Sequence, residues 1–176
     1  MKYELLFSGI GGQGVITLGE TLCDAAIKAG FNVTFVPFYG QEKRGGRTMC
    51  NIVISDGVES PIISAADIML IFDEKSLGDY QQLMSEEGTL ILNSSMIDVE
   101  PTCKCGSLQK IPFYNLAQEL GNPKTANVVA LGYVAKMLPM IPYDIIAAEV
   151  EKSFAAKPKL IPINLDALKK GYDLNS

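Results

Sequence analysis

Apolar runs broken by glycine, proline and acidic residues set the rhythm of this chain. Tyr3 to Ser8 reads as a buried strand that ends at a glycine cluster, Gly9-Ile10-Gly11-Gly12-Gln13-Gly14. From Val15, apolar positions recur at Leu18, Leu22, Ala25, Ala26 and Ala29, the spacing of one helix face, and Gly30 closes the helix. Phe31 to Val36 predicts a second strand and Thr48 to Ser55 a third, with Asp56-Gly57 as a turn. Between them, Pro37 to Arg47 has no helical period and is expected to be a loop. A parallel connection needs a crossover of about a dozen or more residues, usually helical. The loop is short for that, so the third strand is expected to run antiparallel to a neighbour or to be reached by an unusual loop crossover.

Downstream the rhythm becomes strand, helix, strand. Ile68 to Phe72 predicts a strand, Lys75 to Met84 a helix, Thr89 to Asn93 a strand and Leu108 to Pro112 another. The remainder reads as helices over Asn115 to Leu120, Thr125 to Leu138, Tyr143 to Phe154 and Asn164 to Tyr172. Alternation of this kind is the signature of a doubly wound arrangement. The expected fold is α/β: one three-layer, doubly wound domain over residues 1–176 with a mostly parallel, mixed sheet.

Composition narrows the function classes. The chain is 48% hydrophobic and 20% charged, ordinary for a globular protein and against disorder. No window holds eighteen uninterrupted apolar residues, and the N-terminus lacks a signal-peptide layout, so no membrane role and a cytoplasmic location are expected. A net charge of −5 argues against nucleic acid as a partner. The four cysteines, Cys23, Cys50, Cys103 and Cys105, lack C-x-x-C spacing, and with no histidine present no metal site is expected. Absence of histidine also removes the usual general base, and no G-x-S-x-G or Walker A pattern occurs, so no catalytic residue is assigned. Asp73-Glu74, at the carboxyl end of the fourth strand, is open to a paired-acid site, with a helix N-cap the favoured role for Asp73.

Candidate binding chemistry concentrates in two loops. Gly9, Gly11 and Gly14, with Gly12 and Gln13 among them, match G-x-G-x-x-G between a strand and a helix. Glycine permits positive φ and close backbone approach, and a helix start offers N–H groups to an anion. A dinucleotide site also expects an acid near the end of the second strand. Here none occurs before Glu42, so NAD is the minor reading. A tight turn with no ligand and a ligand-binding turn stay level on the glycines alone. Gln13, an amide at a helix start with no required cap role, tilts toward a ligand or a neighbouring subunit.

The second loop is Tyr39-Gly40-Gln41-Glu42-Lys43-Arg44-Gly45-Gly46-Arg47, which contains the chain's only arginines. Guanidinium groups suit bidentate contacts to phosphate or carboxylate. Gly45-Gly46 allows a sharp turn that presents N–H donors to an anion. Arg44 is open to pairing with Glu42, to a phosphate or to a subunit contact, and Tyr39 to stacking on a planar ligand or anchoring an interface.

Taken together, these segments resemble the gamma subunit of the 2-oxoacid:ferredoxin oxidoreductases. The match runs through Gly9 to Val15, Tyr39 to Gly46, Ile54-Ser55-Asp56, Ala65-Ala66-Asp67, Leu92-Asn93-Ser94, Ala117 to Asn122, Ala126 to Gly132 and Gly171-Tyr172. The resemblance implies a subunit, inactive alone, of a complex that oxidatively decarboxylates a 2-oxoacid to an acyl-coenzyme A and reduces ferredoxin. It places thiamine diphosphate, magnesium and iron-sulfur clusters on the alpha, beta and possibly delta partner subunits, and gives this chain a contact with coenzyme A. A homodimer is possible when the subunit is isolated. By position, the glycine loop, the Tyr39 to Gly46 loop and Asn127 would face ligand or neighbours, with Arg44, then Arg47 and Lys43, toward the coenzyme A phosphates. The Arg-Gly-Gly form of the second loop is closer to the 2-oxoglutarate type than to the pyruvate type; branched-chain and indolepyruvate relatives use similar loops. The competing classes are a free-standing nucleotide- or coenzyme A-binding module and a scaffold whose loops make only protein contacts.

Overall fold

The structure, a computed structural model, describes residues 1–41 and 45–175. In chain order it comprises β1 (Lys2–Ile10), α1 (Val15–Lys28), β2 (Asn32–Tyr39), β3 (Arg47–Ser55), β4 (Ala66–Ile71), α2 (Glu74–Tyr80) and β5 (Met84–Asn93). There follow β6 (Ser107–Ile111), α3 (Phe113–Glu119), α4 (Ala126–Ala135), α5 (Tyr143–Ser153) and α6 (Ile161–Tyr172). The strands form one sheet in the order β2-β3-β1-β4-β5-β6. β3 is antiparallel to both β2 and β1, and every other pairing is parallel. The mixed, mostly parallel α/β sheet and the reversed third strand therefore match the expectation.

Central strands alternate between two apolar layers. Leu5 and Phe7 of β1, Ile52 and Ile54 of β3 and Leu70 of β4 face the layer containing α1, α3, α4, α5 and α6. Leu6, Val53, Met69, Ile71 and Leu90 face the other side, where Leu77 of α2 covers them. Burial on both faces explains why β4 reads as a continuous apolar run rather than an alternation. Complete burial of each such Leu, Ile or Phe contributes roughly 1.5–3 kcal/mol.

α4 is apolar around its whole circumference, and nearly all of it is buried. A helix without a polar face must be enclosed, and α6 closes over it at backbone distance. A Cβ on Gly132 would lie 2.0 Å from Leu168 O, and one on Gly171 would lie 1.8 Å from Val129 O. Those two glycines let the helices touch.

Several boundaries differ from the sequence reading, each for a local reason. β2 continues through Pro37 to Tyr39 because it is the free edge of the sheet, where a strand tolerates proline. β3 begins at Arg47, which therefore lies in a strand rather than a loop. α2 ends at Tyr80, a short 3-10 turn spans Gln81–Leu83, and β5 begins at Met84. Met84 pairs with Ala66 before the register shifts, and Gly88 admits no Cβ against the Ala66 and Asp67 carbonyls at 2.8 and 2.7 Å. Among the described residues no helix is long and apolar enough to cross a membrane.

Candidate functional site at the carboxyl edge of the sheet

The glycine cluster turns the chain from the carboxyl end of β1 into α1. Gly12 and Gly14 have φ of 96° and 75°, values that favour glycine, and Gly14 is the residue at which α1 starts. Gln13 folds back so that its side-chain oxygen accepts the Ile10 N–H at 2.7 Å, while its own N–H donates to the Ile10 carbonyl at 3.2 Å. The Gln13 amide thus holds the turn together. A Cβ on Gly9 would meet that same oxygen at 2.5 Å. Gly9 is therefore required by packing against Gln13, and Gly14 by packing against Asn127.

Asn127 sits in the first turn of α4 and donates from its side-chain nitrogen to Gly14 O at 3.3 Å. A Cβ on Gly14 would lie 2.5 Å from that nitrogen. The start of α4 is thus locked to the start of α1, which places Asn127 at the edge expected for it.

The second loop arrives at the same place because β3 runs antiparallel to β1, pairing Ile10 with Arg47. The Gly11 N–H donates to Gly46 O at 2.7 Å, and the Gly40 N–H donates to Arg47 O at 2.6 Å. Gly45 has φ of 64°. Glu42, Lys43 and Arg44 lie outside the described residues. Arg47 forms an ion pair with Asp79 at the end of α2, which occupies its guanidinium within the fold. Tyr39 is 67% exposed, and with Phe38, Gly40, Gln41, Arg47 and Tyr80 it lines an open pocket of about 290 Å³.

On the other side of the glycine turn a second open pocket, about 400 Å³, is lined by Gly12, Gln13, Tyr114, Pro123, Lys124 and Ala126. Its walls are fixed from below. Buried Asn93 at the end of β5 donates to Phe72 O at 3.3 Å and accepts the Phe113 N–H at 3.2 Å, tying α3 to the end of β4. Tyr114 stands edge-on to Phe72, with ring centroids 6.3 Å apart. Burial pushes the pKa of its hydroxyl above the usual value; the hydrogen bond with Gln13 opposes this, and the Asp73 charge adds to it. Asp73 caps α2, accepting the Ser76 N–H at 3.1 Å and the Ser76 hydroxyl at 2.6 Å. That role agrees with its reading as a cap.

Tyr80, Asp79, Tyr114 and Lys124 escaped the sequence reading. Tyr114 and Lys124 lie at or just before the start of a helix, whereas Asp79 and Tyr80 close α2, and no local sequence signal marks any of the four. The dinucleotide arrangement also fails on topology. In that fold the second strand lies beside the first and brings its acid to the ribose, whereas here antiparallel β3 separates β2 from β1. Among the described residues no group of three or more histidine, cysteine or acidic side chains is placed to hold a metal ion.

Residues 4–174 match the model of a protein family described as pyruvate ferredoxin/flavodoxin oxidoreductase. The chain belongs to this family. The ketoisovalerate oxidoreductase subunit VorA of Methanothermobacter marburgensis is 30% identical over 174 residues, covering 98% of this chain but 36% of that protein. The 2-oxoglutarate synthase subunit KorC of Archaeoglobus fulgidus is 28% identical over 175 residues, covering 98% of this chain and 88% of that one. Thus the chain spans about a third of the VorA length and nearly the whole of KorC. The gamma subunit of a keto/oxoacid ferredoxin oxidoreductase from Geobacter sulfurreducens PCA has the same fold, with a TM-score of 0.82 and 27% identity over 97% of this chain and 96% of that one.

Proposed function

We propose that this chain is the gamma subunit of a complex that oxidatively decarboxylates a 2-oxoacid, transfers the acyl group to coenzyme A and passes electrons to ferredoxin. Thiamine diphosphate, magnesium and the iron-sulfur clusters belong to alpha, beta and possibly delta partners. This chain supplies a contact for coenzyme A and a docking edge for those partners. The observation that carries the reading is the hydrogen bond from Gly11 to Gly46, which joins the glycine turn to the arginine-bearing loop at the carboxyl edge. Oxygen-rich anions bind where glycine backbone and guanidinium groups converge. Because Asp79 holds Arg47, Arg44 is the leading candidate cation for a coenzyme A phosphate, ahead of Lys43.

The test is anaerobic purification of the native complex followed by Arg44→Ala. Loss of a charge-assisted phosphate contact is worth roughly 1.5–3 kcal/mol, so the coenzyme A Michaelis constant should rise on the order of tenfold or more. Unchanged coenzyme A dependence together with unchanged subunit assembly rules the role out, and recovery of the chain alone with full activity rules out the complex.

For the substrate, the Arg-Gly-Gly loop favours 2-oxoglutarate. A second reading, ketoisovalerate, has support from the 30% identity to VorA. A panel of 2-oxoglutarate, ketoisovalerate, pyruvate and indolepyruvate with the purified complex decides between them by kcat/KM.

A further inference from the structure

Away from the glycine turn, the segment between β5 and β6 carries the half-buried pair of cysteines, Cys103 and Cys105. From Thr102 the chain enters β6 without helix or hydrogen-bonded turn, and side chains along such a segment alternate between its two sides. Cys103 and Cys105 both pack against the apolar layer that α2 covers. Lys104 between them turns outward, 81% exposed, and pairs with Glu86 at 3.7 Å. The two thiols therefore stand on one side of the chain. Burial pushes the Cys103 thiol above its ordinary value and the neighbouring Cys105 adds to it, so the two sulfurs sense each other. Both ends of the segment are pinned. The Gln81 side-chain oxygen accepts the Thr102 and Cys103 N–H groups at 2.7 and 3.3 Å, and the Gly106 N–H donates to Gly88 O at 2.9 Å. A Cβ on Gly106 would lie 2.5 Å from Glu87 O, so glycine is needed for this approach to β5.

Distances decide what such a pair can hold. Two residues of extended chain advance about 6.4–6.8 Å, the upper end of the Cα separation that a disulfide spans. A direct S–S bond of about 2.05 Å would have to draw the segment off its anchors. An ion held between two thiolates, each at roughly 2.3 Å, needs the sulfurs only about 4.6 Å apart and leaves the anchors in place. Zinc takes four ligands, and among the described residues no third histidine, cysteine or acidic side chain joins the pair. Thiolates select soft ions, and monovalent copper is satisfied by two of them.

We infer that Cys103 and Cys105 form a two-thiolate site for a soft monovalent cation of the copper(I) class. On binding, the ion replaces the two thiol protons, which pass to solvent, and no electron is transferred.

The experiment titrates the purified chain under argon with copper(I), against a coloured copper(I) chelator as competitor, and counts reactive thiols with Ellman's reagent. One ion per chain should bind, shield Cys103 and Cys105 from the reagent and raise the melting temperature. Cys103→Ser and Cys105→Ser should each weaken binding by about a hundredfold or more, the gain that two linked ligands have over one. Cys103→Ala and Cys105→Ala, which put no hydroxyl against the apolar layer, should weaken it equally with an unchanged unfolding midpoint. Cys23→Ser, at a buried position on α1, should leave binding unchanged. Retained affinity in either single variant, independent binding of two ions, or equal shielding by zinc would overturn the assignment. So would recovery of the pair under argon already joined as a disulfide.

Discussion

Gly14→Ala is the most demanding test of how the edge is built. Gly14 has φ of 75°, and a Cβ there would lie 2.5 Å from Asn127 Nδ2, 2.9 Å from Cγ and 3.3 Å from Cβ. The left-handed conformation costs an alanine roughly 1–2 kcal/mol. Displacing a packed side chain adds about 1–3 kcal/mol, part of it the lost hydrogen bond from Asn127 to Gly14 O. Together these predict a loss of about 2–5 kcal/mol for Gly14→Ala. Gly12 is the internal control: its φ is 96°, yet nothing lies within 4 Å of a Cβ placed there. Gly12→Ala should therefore show the conformational part alone, about 1–2 kcal/mol.

Urea unfolding of the purified chain, followed by circular dichroism at constant m-value, measures both. A double-mutant cycle with Asn127→Ala isolates the contact: in that background Gly14→Ala should fall to the Gly12→Ala value, a coupling of roughly 1–3 kcal/mol. Equal losses at Gly12 and Gly14 within about 0.5 kcal/mol, with no coupling to Asn127, would refute the claim that packing of α4 against the turn dictates Gly14.

Gly171→Ala forces a Cβ against Val129 O; because a backbone carbonyl cannot rotate away, the loss should reach or exceed the 1–3 kcal/mol of ordinary overpacking, read as a fall in melting temperature. Asp73→Ala removes the cap of α2 and strands the buried Ser76 hydroxyl, which should lower stability by about 0.5–2 kcal/mol in chemical unfolding. Burial pushes the Glu149 carboxyl up, but hydrogen bonds from Lys28 and Lys152 hold it below its ordinary 4.5. A depressed carboxylate contributes stability above its unfolded value that is lost as pH falls through the folded one, so Glu149→Gln should flatten the acid limb below about pH 4.5 of a stability-pH profile. Burial pushes the Cys50 thiol up to about 12 and raises Cys23 also; Ellman's reagent at pH 8 should label only Cys103 and Cys105 in the native chain, and all four thiols in denaturant.

How far the sequence could be read depended on the range of the physics involved. Strand and helix order followed from local periodicity, and the shortness of the segment Pro37 to Arg47 left an antiparallel β3 or an unusual crossover, of which the structure has the first. Boundaries failed where a neighbour overrode local preference. Pro37 ended the strand on paper, but an edge strand tolerates it. Lys75 to Met84 had a helical pattern, but Met84 is taken by pairing with Ala66. At the site, Gly9 to Gly14 were visible because a glycine cluster between a strand and a helix leaves a local mark, whereas Asn127 was reached only through the family resemblance. The Arg47–Asp79 pair was not, since it joins residues on different elements. Gln13 was visible as an unusual amide, but its bond to Ile10 depends on the folded shape of the turn. Lys124 and Tyr114 had no mark beyond ordinary composition, because only the arrangement of β1, β4 and β6 brings them to one opening.

The reversed strand is what makes a joint site possible. β3 has nine residues, about 30 Å at the usual rise per residue. Had β3 run parallel to β1, its first residue, Arg47, would lie at the amino edge, about one strand length from the glycine turn. Running antiparallel, it pairs Arg47 with Ile10 and delivers Gly46 to Gly11. The same insertion pushes β2 to the outside and removes the neighbour on which a dinucleotide site depends. One topological choice therefore brings Gly46 and Arg47 to the carboxyl edge beside the glycine turn and leaves the end of β2 on the outside of the sheet. Without that neighbour the glycine turn keeps the G-x-G-x-x-G spacing of a dinucleotide site but lacks the second strand end that would reach the ribose hydroxyls.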